Sequence, residues 1–194
     1  VSVTSTGIGC PSTAIAVEEL ANIGAKTLVR MGTSGAMQEY TKVGDKVIAS
    51  GAVRFEGTSV QYMPIEFPAV ASHDMVMALK EAALKAQLAH HVGIVQSKDS
   101  FYGQHSPEDM PIAAELLQKW DAWVKGGVLC SEMEAATLFV VGSYRRLRTG
   151  AVLLVAGDQA KGESLTKDEY QKNMSESVKM ILEASLKIEE EDNA

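Results

Sequence analysis

Four groups of residues in this chain have the types and spacing for chemistry on a small anionic or polyhydroxylated ligand. The first is Arg30, followed at once by Gly32-Thr33-Ser34-Gly35. Two glycines let backbone N–H groups approach an anion closely, and two hydroxyls add donors. A guanidinium one residue away can place a planar fork on the same anion. The same residues also read as an ordinary Gly/Ser turn beside a surface arginine. No Gly-Lys-Ser or Gly-Lys-Thr follows, so this is not a Walker loop.

The second group is Glu132-Met133-Glu134. Its carboxylates suit the vicinal hydroxyls of a ribose, and they equally suit the first turn of a helix, where the macrodipole favours them. The third, Phe101-Tyr102-Gly103-Gln104-His105, sets an aromatic pair for stacking beside an amide that offers both donor and acceptor to a base edge. A loop with a packed aromatic accounts for it as well. The fourth is Gly157-Asp158-Gln159 at the end of an apolar run, where Asp158 acts as acid or base or caps the next segment. His73, His90 and His91 have no metal-ligand spacing, and no Ser-His-Asp set or Gly-x-Ser-x-Gly elbow is present.

These groups fall at the junctions of alternating strand-like and helix-like segments, the pattern of an α/β sheet. Short strands are predicted at Val1–Thr4, Lys26–Met31, Asp45–Ser50, Ala52–Phe55, His90–Gln96, Val128–Cys130 and Thr149–Ala156. Helices are predicted at Thr13–Ile23, His73–Gln87, Pro111–Val124 and Glu132–Leu147. A last helix opens on the capping box Thr166-x-x-Glu169 and carries Tyr170, Met174, Val178, Ile181, Leu182 and Ile188 on one face. With 194 residues, 46% hydrophobic and 22% charged, the chain can bury one sizeable core. The net charge of −7 and the absence of a Lys/Arg cluster exclude a nucleic-acid partner. No apolar run approaches the roughly 20 residues of a membrane span. Two cysteines, Cys10 and Cys130, make no disulfide framework and fit a cytoplasmic protein.

Taken together and in order, these segments resemble the nucleoside phosphorylase-I superfamily, in its uridine phosphorylase branch. The resemblance is carried by Ser5–Thr13, Arg30–Ala36, Val43-Gly44-Asp45, Arg54-Phe55-Glu56-Gly57, Ile65–Val70, Ser100–Gln104 and Glu132–Leu138. It implies a mixed central sheet forming a distorted barrel flanked by helices, a three-layer α/β/α arrangement. It implies reversible phosphorolysis of uridine to uracil and ribose 1-phosphate, with inorganic phosphate as co-substrate and no cofactor. Arg30, Gly32 and Thr33 would bind phosphate, and Glu132, Met133 and Glu134 the ribose. Phe101, Gln104, His105 and Gln159 would form the base site, with Arg30, Glu134 and Asp158 as catalytic residues. Ser12 matches a ligand of a cation held at a dimer interface, within a homodimer or a hexamer built from dimers. Residues 1–194 are expected to be a single domain that lacks the family's first strands. The chain departs from the branch pattern at Ser106 and Gln159, where arginines are usual, and at Asp158, where asparagine is. Asp158 leaves a purine nucleoside phosphorylase as one alternative; a nucleosidase and an inert nucleoside-binding protein are the others.

Overall fold

The computed structural model describes residues 1–193. Its core is a mixed sheet of β1 (Thr27–Ala36), β2 (Lys46–Phe55), β3 (Ala69–Val70), β4 (His90–Lys98), β5 (Cys130–Glu132), β6 (Arg148–Asp158) and β7 (Glu163–Ser164). The strand order is β3-β2-β4-β5-β1-β6-β7, and a β2–β6 pairing closes five strands into a barrel. Parallel ladders join β1 to β6, β2 to β4 and β4 to β5, while β1–β5 and β2–β6 run antiparallel. The expected distorted barrel is therefore present.

Two helical layers cover it, as the side-chain alternation of the strands requires. Val47, Ala49, Ala151, Leu153 and Val155 point to α1 (Cys10–Asn22) and α5 (Ala135–Tyr144). Their neighbours Ile48 and Val152 point the other way, to α2 (His73–Lys85) and α6 (Lys167–Asp192). Helix α5 is buried along almost its whole length, from Ala135 to Gly142, which fits a segment apolar all round. The short α3 (Tyr102–His105) and the amphipathic α4 (Ala113–Lys125) lie after β4, and no residue of α4 is fully buried.

Several sequence expectations change. Val1–Thr4 forms no strand; it pairs with nothing among the described residues, and Val1 and Val3 are 87% and 95% exposed. Gly32-Thr33-Ser34-Gly35 is not a loop: β1 continues through it because the parallel ladder to β6 runs unbroken from Thr27 to Ser34. The two strands expected over 45–55 are one, bent by a register shift between Ala49 and Gly51. Glu132 ends β5 and Glu134 is the N-cap of α5, so that helix begins later than its apolar pattern predicts. The Thr166–Glu169 capping box forms as expected. The buried face of α6 is Ser177, Met180, Ala184 and Ile188, with Val178 and Leu182 turned to solvent, because α2 meets the helix along a different stripe.

Candidate active site

A single open cleft of about 1590 Å³ gathers all four sequence groups. Strands β1, β4 and β6 bring their carboxyl ends to it, the usual position for ligands on a parallel sheet. Its further wall is the apolar face of α4 (Leu116, Trp120 and Trp123), with Tyr170 and Met174 from the first turns of α6. This explains why α4 is amphipathic without a buried residue: its apolar face lines the cleft instead of the core.

Arg30 sits at the centre of an ion cluster. Its Nε donates to Glu132 Oε2 at 3.0 Å, and its Nη2 donates to Glu134 Oε2. Its Nη1 has no partner among the described residues. The guanidinium lies over the Cα of Gly32, where a side chain would stand 2.6 Å from Nη2. Thr33, next along β1, is exposed to the cleft. Glu132 is held from every side: it accepts from Ser97 Oγ, from Glu134 N at 2.8 Å and from Ala135 N at 3.0 Å. Placed at the start of α5, it both caps the helix and aims Arg30. Glu134 is pinned by Arg30 and by the backbone N–H of Gly9 at 2.5 Å, and Met133 beside it is half-buried in the cleft. A guanidinium flanked by two carboxylates is strongly oriented, and losing either partner would leave a poorly solvated charge.

The other end of the cleft carries aromatic and amide groups. Phe101 is 49% exposed, and its ring centroid lies 4.0 Å from that of His105. Burial and the nearby Lys98 charge both push His105 below its ordinary value, against a smaller upward pull from Gln159. Gln159 Nε2 donates to the His105 backbone carbonyl at 2.8 Å, tying the end of β6 to α3. Gln104 reaches Ser131 Oγ, which also bonds Gln96 and accepts from Lys98 Nζ at 2.7 Å. Asp158 is buried, which by itself raises a carboxyl pKa. The Lys161 ammonium and backbone N–H donors outweigh that and hold it below its ordinary value.

The structure thus brings together Arg30, Gly32, Thr33, Phe101, Gln104, His105, Glu132, Met133, Glu134, Asp158 and Gln159 in one cleft. Ser12 stands apart. Its hydroxyl bonds the carbonyls of Ile8 and Gly9, at 3.0 and 3.1 Å, and no cluster of three or more acidic, His or Cys ligands occurs among the described residues. Sequence reasoning missed Lys98, Ser131 and Gln96. Their signal was polar residues at the carboxyl ends of β4 and β5, where apolar strand residues would be expected.

Comparison with known proteins agrees with this geometry. The sequence profile of the Phosphorylase superfamily matches residues 1–188. A uridine phosphorylase of Treponema pallidum is 55% identical over 184 residues, covering 95% of this chain and 71% of that protein. A uridine phosphorylase of Thermococcus kodakarensis is 45% identical, over 94% of this chain and 68% of its own length. A guanosine phosphorylase of Halorubrum lacusprofundi is 39% identical, over 95% and 73% respectively. With its closed barrel, its Arg30–Glu134 cluster and its aromatic–amide wall, the chain belongs to the phosphorylase superfamily.

Proposed function

We propose that the protein cleaves uridine with inorganic phosphate, giving uracil and ribose 1-phosphate. One observation carries this: Arg30 keeps an unpaired Nη1 in the same cleft as the exposed Thr33, Phe101 and Gln104. The first pair suits a phosphate, and the second suits a flat base with a polar edge. Glu134, oriented by Gly9 and Arg30, accepts from the ribose hydroxyls, with Met133 against the sugar. Glu132, whose oxygens are already bonded, keeps both in place.

In the reaction a phosphate oxygen forms a bond to C1′ while the C1′–N1 electron pair departs with the base, whose N1 then takes a proton from water. Positive charge grows on the ribose and negative charge on the uracil. Fixed charges in a pre-formed cleft lower that barrier without a covalent nucleophile. Held ionised by Lys161, Asp158 is poorly suited to protonating a purine ring, which supports the pyrimidine reading. The same reading takes residues 1–194 as a single domain of a homodimer, or of a hexamer built from dimers. Two unpaired buried cysteines and the acidic composition support a cytoplasmic protein.

Uracil release measured with and without phosphate tests the proposal. Release that depends on phosphate, with ribose 1-phosphate formed, is expected. Equal rates would make the protein a hydrolase, and binding without turnover a carrier. Inosine or guanosine cleaved faster than uridine would move it to the purine branch.

A further inference from the structure

Three cations line the cleft, and two of them are neutralised on the spot. Arg30 faces Glu132 and Glu134, and Lys161 faces Asp158. Lys98 does not form such a pair. It is 4% exposed, at the last residue of β4, and its Nζ bonds the neutral Ser131 hydroxyl at 2.7 Å. Burying an ammonium without a carboxylate contact is costly, and a lysine of no use to the site would be replaced by an apolar residue at a gain in stability.

The hydrogen bonds around Ser131 show what Lys98 does. The hydroxyl accepts from Lys98 and has one proton to give, offered to the carbonyl oxygen of Gln104 or Gln96. When Gln104 accepts it, its Nε2–H₂ group is left to donate into the cleft, where a uracil carbonyl would meet it. Lys98 also lies close enough to His105, which stacks on Phe101, to depress its protonation. The ammonium is therefore on the side of the cleft that receives the departing base.

We propose that Lys98 is the base-side cation of this cleft: through Ser131 it fixes the Gln104 amide, and its charge stabilises the pyrimidine anion as it leaves. It is a positioning and electrostatic residue, and its role rests on the uridine-cleaving function proposed above. Burial pulls Lys98 down to about 8, against the upward pull of Glu132, Glu134 and Cys130. Asp99 follows it in the chain, and His105 is the neighbouring base. The ammonium is thus charged at neutral pH and lost just above it, so retention of the base anion weakens as pH rises through that value.

The test is calorimetric binding of uracil and of 5-nitrouracil, an anion at neutral pH, to the full chain with phosphate present. Lys98→Met should weaken 5-nitrouracil by about 10- to 100-fold and uracil by no more than about threefold, since uracil loses only the fixed Gln104 amide while the anion also loses the charge. Lys98→Arg should restore the anion's affinity and move its alkaline limb upward. Equal weakening of both ligands by Lys98→Met, or none, overturns the assignment. If Lys98→Met does not fold, an unmoved alkaline limb in Lys98→Arg overturns it. A wild type that binds neither base overturns this role and the proposed function together. A wild type that releases uracil while Lys98→Met weakens both bases alike overturns the role of Lys98 alone.

Discussion

A methyl group on Gly32 would stand 2.6 Å from Arg30 Nη2 and 2.7 Å from Cζ. The obstructing atoms are the end of a flexible side chain, so the backbone need not move and the guanidinium swings away instead. Because that movement takes the guanidinium off Glu132 and Glu134, Gly32→Ala is expected to lower the melting temperature by several degrees as kcat/KM for phosphate falls about tenfold or more, checked by thermal unfolding beside steady-state kinetics. Glu134 shows the complementary case. Glu134→Gln keeps the shape but removes the charge that faces Arg30 and replaces one of the two acceptor oxygens offered to a diol with a donor. A lost charge-assisted hydrogen bond of about 2–3 kcal/mol corresponds to roughly 30- to 150-fold in kcat/KM. Turnover assays on folded protein should show a loss in that range, and unchanged turnover would remove Glu134 from the site.

Elements matter here for where they end. Strands β1 and β6 keep one parallel register from Thr27 to Ser34 and meet again after a shift at Gly35 and Gly157, so Arg30 lies within the ladder and Asp158 just beyond its end. Two segments that carried the family resemblance turn out to be structural. Arg54 donates to the carbonyls of Met63 at 2.8 Å and Ile65 at 3.1 Å, and it also reaches Phe67. Glu56 accepts from Thr58 N and Ser59 N, both at 2.8 Å. Together they staple the 56–68 loop beside β3. Helix α6 depends on its cap: Thr166 and Glu169 satisfy each other's backbone N–H groups, and the first turns then bring Tyr170 and Met174 to the cleft. Thr166→Ala should lower unfolding free energy by about 1 kcal/mol, read as a reduced urea midpoint with unchanged slope.

At the scale of the molecule, two apolar clusters hold the barrel between its helical layers, and close backbone approach sets their spacing. Helix α5 comes so near β6 that a Cβ on Gly142 would lie 2.3 Å from Thr149 Cγ2. A β-branched strand residue under a helix cannot yield as a surface side chain does. Gly142→Ala is thus expected to destabilise by about 1–3 kcal/mol in chemical denaturation, despite alanine's better helix propensity. At the other end of α5, Ser97 and Glu132 take the first backbone N–H groups and hold Glu134 against the barrel.

How much of this was legible beforehand follows from the range of each interaction. The α/β alternation, the helix over His73–Lys85, the Thr166–Glu169 cap and the chemical character of Arg30, Glu134, Phe101 and Gln104 are local properties of side chains and their period, so the sequence by itself determined them. The tertiary structure alone decided that β1 runs on through Gly32–Gly35, that α4 turns its apolar face to a cleft, and that Lys98 meets Gln104 through Ser131. Most of those outcomes depend on strand register, which joins residues as distant as the 104 positions between Arg30 and Glu134. Periodicity fixes which face a residue takes; only the closed barrel fixes which residue it meets there.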